Sequence, residues 1–128
     1  PFWHEVAVNQ SGTQSENEFA QAFDAVQKIV FSRTMKSAEW VNTTLLHSGL
    51  GEEIQKLKEQ PGKDIFIGGL NLGSQVAKLG LIDEYYFVVH PAIVGKGPRL
   101  FEDGGEHRLT LVETRTFRSG VVMLHYKK

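Results

Sequence analysis

Residues 64–80, DIFIGGLNLGSQVAKLG, hold the pattern that decides the fold. The first four residues, DIFI, are a compact apolar run that predicts a β-strand. The pair Gly68-Gly69 follows at once, and residues 71–79 then predict a helix, with Gly80 placed to end it. A strand that turns directly into a helix is the unit from which α/β proteins are built.

This turn also carries the strongest indication of function. The N-terminus of a helix presents backbone N–H groups without helical partners, and together with the helix dipole they favour a phosphate. Gly68 and Gly69 would let a phosphate approach the backbone closely, because they have no Cβ atom, and Gly73 could serve the same approach. The alternative is a tight turn that needs glycine only for its dihedral angles. A Gly-Gly pair alone does not decide between the two.

Two apolar stripes at helical spacing predict two helices upstream of this segment. Ser15 and Glu18 stand before the first stripe with the spacing of a capping box, which favours a helix start there. Pro61 and Gly62 end the second helix. The stripes consist of Phe19, Ala22, Phe23 and Val26, and of Leu50, Ile54 and Leu57.

Three further runs predict strands. Residues 28–32 (KIVFS) are short and β-rich, and residues 38–46 have strand character around Trp40 and Val41. Residues 85–90 (YYFVVH) are continuously apolar, which favours a strand covered on both faces. Strands that alternate with helices in this way predict a sheet with crossover connections.

The C-terminal end predicts a β-hairpin. Residues 109–117 and 121–126 are two apolar runs, and Arg118, Ser119 and Gly120 lie between them, with Gly120 able to adopt a positive φ. The sheet is therefore expected to be mixed, with antiparallel strands at its C-terminal edge.

A second candidate binding segment follows the strand at 28–32. Ligands of open α/β sheets lie beyond the carboxyl ends of the strands. Arg33 could pair there with a 2′-phosphate on an adenosine ribose, and Ser32 and Thr34 could donate hydroxyl hydrogen bonds. Taken by itself, this segment favours a polar strand end that faces water over a binding segment.

Composition excludes several classes of function. The chain of 128 residues has a net charge of −1 and no concentrated basic run, so nucleic-acid binding is not expected. It has no apolar run of about 18 residues, so a membrane span is not expected either. The absence of cysteine excludes disulfides and thiolate chemistry and agrees with a cytoplasmic location. The five histidines lack zinc-site spacing, and neither a G-x-S-x-G elbow nor a P-loop occurs.

Three motifs in this order resemble a known family. They are KIVFSRT at residues 28–34, DIFIGG at residues 64–69 and VVHPAIVGKGPRLF at residues 88–101. Together they look like the dihydrofolate-reductase-like superfamily, and specifically the C-terminal reductase domain of the bifunctional riboflavin deaminase-reductase. The resemblance implies a three-layer αβα fold with a mixed, mostly parallel central sheet and a C-terminal antiparallel hairpin. It implies a single domain over residues 1–128 that lacks the family's first strand and catalytic loop.

The resemblance also implies NADPH as cofactor, and the spacing of the histidines predicts no metal site. It assigns the cofactor pyrophosphate to the glycine turn and the adenosine end to the segment after the first predicted strand, and it suggests a cis peptide at Gly68-Gly69. The implied cofactor-binding residues are Ser32, Arg33, Thr34, Gly68, Gly69, Leu70, Asn71, Leu72 and Gly73.

The implied reaction is hydride transfer from NADPH to a small heterocyclic or imine/carbonyl substrate. The first candidate is the pyrimidine intermediate 5-amino-6-(5-phosphoribosylamino)uracil of riboflavin biosynthesis, and a pterin is the second. No residue is assigned as the catalytic acid. The alternatives are a non-catalytic nucleotide-binding domain and a dimerisation domain of the same fold. A homodimer is expected, and an apolar hairpin edge with Val121, Met123 and Tyr126 is a candidate for pairing between subunits.

Overall fold

The computed structural model describes residues 2–101 and 106–128 and confirms an α/β protein. The chain divides into two compact units, Pro1–Gly49 and Leu50–Lys128. The first unit holds α1 (Phe2–Asn9), α2 (Gln14–Ala25), β1 (Lys28–Phe31) and β2 (Thr43–Leu46). The second holds α3 (Leu50–Glu59), α4 (Leu70–Lys78), β3 (Glu84–Val89), β4 (Thr110–Thr116) and β5 (Val122–Lys127). The expectation of a single domain stays a prediction.

Helices α1 and α2 pack through aromatic side chains. The ring of Trp3 meets the edge of Phe19 at a centroid distance of 4.8 Å, and Phe19 stacks on Phe23 at 5.8 Å. Val6 and Ala20 are the buried residues of the two helices. The apolar stripe predicted for α2 therefore contacts α1, although Phe19 remains half-exposed.

The capping box of α2 lies two residues earlier than predicted. Thr13 has an extended backbone, and its side chain accepts a hydrogen bond from the Glu16 backbone N–H, while Glu16 Oε2 accepts one from the Thr13 backbone N–H at 2.8 Å. The prediction of Ser15 and Glu18 was wrong because Thr13 and Glu16 offer the same spacing one half-turn upstream. Ser15 lies inside the helix.

Strands β1 and β2 pair in parallel, from Lys28 opposite Thr43 to Phe31 opposite Leu46. The strand expected around Trp40 and Val41 begins only at Thr43. The preceding Asn42 has a φ of 52°, a left-handed conformation that cannot continue a strand.

Strands β3, β5 and β4 form an antiparallel sheet in that order. Gly120 has a φ of 83°, and the Phe117 N–H donates to the Val121 carbonyl at 2.8 Å, so the predicted hairpin is confirmed. Because β5 is the central strand, its backbone is paired on both sides. Edge pairing between subunits through Val121, Met123 and Tyr126 was therefore a wrong expectation, and β3 and β4 are the outer strands.

The two helices of the second unit supply its buried apolar residues. Ile54 of α3 and Val76 and Ala77 of α4 are buried, and Val76 is fully so. Helix α4 ends as predicted: Gly80 has a φ of 69°, and the Leu81 N–H donates back to the Val76 carbonyl at 3.2 Å.

Two strand predictions need correction. Residues 64–67 pair with no strand in the described part of the chain, and Phe66 is 94% exposed. The apolar run forms no strand, because a sequence pattern favours a strand without specifying the partner with which it would pair. The strand expected at residues 85–90 is confirmed as β3, but it is not covered on both faces. It is an outer strand of its sheet, and Tyr86 and Val88 are more than half exposed.

A polar cluster joins β3 to β5 where Glu84 pairs with Lys127 and Tyr86 with His125. Glu84 accepts hydrogen bonds from Lys127 Nζ at 3.0 Å, His125 Nε2 at 2.7 Å and the Tyr86 hydroxyl at 3.1 Å. The hydrogen bond from Lys127, followed by those from His125 and Tyr86, lowers the pKa of Glu84 below its ordinary 4.5. The hydrogen bond to Glu84 in turn raises the pKa of Lys127.

We expect Glu84→Gln to lower the melting temperature at neutral pH and to have no effect in acid. A carboxyl group whose pKa is lowered by folding stabilises the protein fully above its unfolded value of 4.5, and this stabilisation is lost as the pH falls through the lowered pKa. The measurement is thermal unfolding by circular dichroism from about pH 3 to pH 8. Glu39→Gln, at an exposed glutamate, is the control. An equal effect of Glu84→Gln at every pH would contradict this account.

Candidate functional site

The N-terminus of α4 begins at the glycine turn. Gly69 is the N-cap residue, and among the described residues no side chain caps the helix. The first helical hydrogen bond runs from the Gly73 N–H to the Gly69 carbonyl at 2.9 Å. The preceding N–H groups of the first turn, from Leu70 to Leu72, have no helical carbonyl to bond to. This end of α4 therefore combines orphan donors with the positive end of the helix dipole.

The three glycines of this segment differ in backbone conformation and in the space beside them. Gly69 has a φ of 88°, so its conformation alone favours glycine. Gly73 lies within the helix without a positive φ, where alanine would be more stable by about 1 kcal/mol. A Cβ atom added at Gly69 or Gly73 would meet no atom within 4 Å, and one at Gly68 would lie 3.5 Å from the Phe66 ring. The glycines thus leave open space beside the first turn of α4.

The peptide bonds of the described residues are all trans. The cis bond that the resemblance suggested at Gly68-Gly69 is therefore absent, and the chain turns into α4 through the positive φ of Gly69 instead.

A cleft of about 340 Å³ adjoins this turn. One face of α4 lines it on one side, since residues three and four apart project in the same direction. Residues 98–100 line the other side. The lining residues are Leu70, Asn71, Ser74, Gln75 and Lys78 of α4, and Pro98, Arg99 and Leu100.

Two exposed, positively charged side chains line the cleft, those of Lys78 and Arg99. Asn71 is oriented within it, since its side-chain oxygen accepts a hydrogen bond from Gln75 Nε2 at 2.7 Å. A pyrophosphate needs hydrogen-bond donors, positive charge and room to approach the backbone. The free N–H groups of α4, the two charged side chains and the open space beside the glycines provide these, so the residues present fit the phosphate part of a dinucleotide.

The structure brings only part of the predicted set to this cleft. Leu70 and Asn71 line it, whereas Gly68, Gly69, Leu72 and Gly73 form the turn and first helical turn next to it without lining it. Sequence reasoning missed Ser74, Gln75, Lys78 and Arg99. Helical spacing from Asn71 could have found the first three, and Arg99 lies in the motif at residues 88–101.

Ser32, Arg33 and Thr34 belong to the first unit, directly after β1. The Ser32 N–H donates to the Leu46 carbonyl at 3.0 Å, so the parallel pairing extends one residue past β1. The Ser32 Oγ accepts from the backbone N–H groups of Thr34 at 3.3 Å and Met35 at 3.1 Å. Ser32 therefore holds its own loop together, while Arg33 and Thr34 are exposed.

Sequence reasoning also missed His47, which it treated as one of several scattered histidines. His47 follows β2 directly, and its Nδ1 lies 2.7 Å from the Ser32 carbonyl oxygen. The signal was available in the sequence, because neighbouring parallel strands end at the same edge of a sheet.

Two further structural findings concern residues 2–101 and 106–128. No three His, Asp or Glu side chains in these ranges are grouped so that they could hold a metal ion. None of the helices there is both long and apolar enough to cross a membrane.

Solved structures with a similar fold support the α/β assignment. A Shewanella sp. PV-4 protein described as a "putative riboflavin biosynthesis protein" superposes with a TM-score of 0.70 at 19% identity, over 89% of this chain and 70% of that one. A pyrimidine reductase-like protein from Corynebacterium diphtheriae superposes with a TM-score of 0.54 at 17% identity, over 91% of this chain and 46% of that one. At these identities the likeness concerns the fold.

Sequence relatives come from Bacillus subtilis (strain 168). The uncharacterized protein YyaP is 36% identical over 126 residues, which is 97% of this chain and 66% of YyaP. The uncharacterized protein YwjB is 32% identical over 99 residues, which is 76% of this chain and 56% of YwjB. The matched part of the chain thus spans less than two thirds of the length of either relative.

The family model of the RibD C-terminal domain matches residues 4–123, nearly the whole chain. The motifs at residues 28–34, 64–69 and 88–101 all fall within this match. The chain therefore belongs to the RibD C-terminal domain family, a family of reductase domains of the riboflavin-biosynthesis type.

Proposed function

We propose that this protein is an NADPH-dependent reductase. The observation that carries the proposal is Gly73 together with the uncapped start of α4. A glycine that no dihedral angle requires, with open space beside it, lies next to orphan backbone donors and a cleft with two cations. Membership of a reductase family supports the same assignment.

The residues divide the binding of NADPH between them. The turn from Gly68 to Gly73 and the N-terminus of α4 hold the pyrophosphate, with Lys78 and Arg99 contributing charge. Ser32, Arg33 and Thr34 hold the adenosine end. The bound cofactor supplies the hydride, and the chain orients it and its substrate.

The proposed substrate class is a small heterocycle or imine/carbonyl compound. Family membership supports 5-amino-6-(5-phosphoribosylamino)uracil as the first compound to test. We further propose that the protein works in the cytoplasm as a homodimer. The exposed apolar side chains of the sheet in the second unit, such as Val88 and Val112, support association.

We expect Arg33→Ala to weaken NADPH binding by about 10- to 100-fold and to leave NADH binding nearly unchanged. The reason is that only NADPH carries a 2′-phosphate for the guanidinium to pair with. The size of the effect is that of losing one charge-assisted hydrogen bond. The measurement is fluorescence titration with each cofactor.

Arg118→Ala, at an exposed arginine of the hairpin turn, is the matched control. Equal losses for NADPH and NADH in the Arg33 variant would contradict the assignment of this loop. The same titration on full-length YyaP tests whether binding requires more than the matched region. Absence of NADPH binding by both proteins would refute the proposed cofactor and favour the non-catalytic alternative, a dimerisation domain of this fold.

A further inference from the structure

The loop that carries Arg33 lies beside the end of β2. The parallel pairing of β1 with β2 continues to Ser32, whose N–H donates to the Leu46 carbonyl at 3.0 Å. Leu46 is the last residue of β2, and His47 comes directly after it. His47 and Arg33 therefore lie at the same edge of this two-stranded sheet. We refer to residues 32–35 as the β1 loop.

Three groups of Ser32 hold the β1 loop: its N–H, which donates to the Leu46 carbonyl, its hydroxyl and its carbonyl. Its Oγ accepts hydrogen bonds from the backbone N–H groups of Thr34 and Met35, which closes a tight turn around Arg33. Its carbonyl oxygen lies 2.7 Å from Nδ1 of His47. A carbonyl oxygen only accepts, so Nδ1 carries the hydrogen and donates it.

This contact ties the β1 loop to the neighbouring strand from outside. The Ser32 hydroxyl closes the turn from within the loop, and the Ser32 N–H, bonded to the Leu46 carbonyl, fixes the residue at which the loop begins. The imidazole of His47 comes from the chain after β2 and meets the peptide between Ser32 and Arg33. It therefore restrains the carbonyl that immediately precedes the Arg33 backbone N–H.

We propose that His47 is a positioning residue that orients the β1 loop and thereby sets the preference for NADPH over NADH. This inference rests on the proposed function, in which Arg33 pairs with the 2′-phosphate. His47 acts through Arg33: it lowers the cost of ordering the guanidinium and need not contact the cofactor itself.

The first test uses the chain without cofactor. We expect His47→Ala to increase the amide hydrogen exchange of Thr34 and Met35 by about three- to tenfold, the effect of one hydrogen bond. His47→Asn keeps an N–H donor near the position of Nδ1, and we expect it to restore most of the protection. His107→Ala, at an exposed histidine of the second unit, is the control. Unchanged exchange in His47→Ala would overturn the proposal.

The second test is a double-mutant cycle on the ratio of NADPH to NADH affinity. We expect His47→Ala to reduce this ratio by about three- to tenfold in the wild-type background and to have no effect in Arg33→Ala. Additive effects would show that His47 acts independently of Arg33 and would overturn the proposal. A wild-type chain without preference for NADPH overturns the proposed function as well, whereas a preference that His47→Ala leaves unchanged overturns this inference alone.

Discussion

We expect Gly69→Val to reduce NADPH affinity by more than about tenfold, which corresponds to about 1.4 kcal/mol, while the chain stays folded. Gly69 has a φ of 88°, a conformation in which a β-branched residue is strained by about 1–3 kcal/mol. The chain can relieve this strain by shifting the turn, and a shift moves the N–H groups of the first turn of α4. The measurement is NADPH titration together with thermal unfolding of the same variant.

Two further variants separate the causes. Gly69→Ala adds one methyl group that meets no described protein atom, so any loss of affinity that it causes reports backbone strain or obstruction of the phosphate, and not a clash within the protein. Gly62→Val is the matched control, because Gly62 lacks a positive φ and an added Cβ there also meets nothing within 4 Å. If Gly69→Val bound NADPH as tightly as Gly62→Val, the glycine turn would not hold the cofactor.

The elements that the sequence predicted well are those whose signals are local. Helix α4 and its end at Gly80 follow from apolar spacing and one glycine that adopts a positive φ. The C-terminal hairpin follows from two apolar runs around Gly120. In each case the residues that decide the structure lie within a few positions of one another, so no knowledge of distant partners was needed.

The incorrect predictions depend on a competing signal or on a distant partner. The apolar run at residues 64–67 has the composition of a strand, but pairing requires a neighbour that the run itself does not specify. The start of β2 was misplaced because the left-handed conformation of Asn42 outweighs the β-propensity of Trp40 and Val41. The exposure of β3 depends on its place at the outside of its sheet, which only the strand order reveals.

The candidate site shows the same division. The glycine turn was predictable because the two glycines and the helix that follows them are contiguous in sequence. Arg99 comes to the cleft from a segment about twenty residues beyond α4, and His47 reaches Ser32 across two paired strands. Tertiary placement brings these residues to the candidate sites, and their partners there lie far from them in the sequence.

We expect Val76→Asp to destabilise the second unit by about 4 kcal/mol or more at neutral pH, because it buries a carboxylate without a partner. Val76 is fully buried on α4, the helix that lines the cleft. The measurement is chemical unfolding followed by circular dichroism. Val94→Asp, the same change at a valine that is 84% exposed, is the control and should cost less than about 1 kcal/mol.

The pH dependence of this variant distinguishes buried charge from altered packing. Burial raises the pKa of a carboxyl group, so the penalty on Val76→Asp should shrink as the pH falls and the group becomes neutral. Val76→Asn has nearly the same shape without a charge, and its penalty should not change with pH. If both variants responded alike, the charge would not be the cause.

NADPH binding should fall in Val76→Asp only in proportion to the unfolded fraction, whereas Gly69→Val should lose binding while folded. Together the two variants distinguish the packing that keeps α4 folded from the contacts that its N-terminus makes with NADPH.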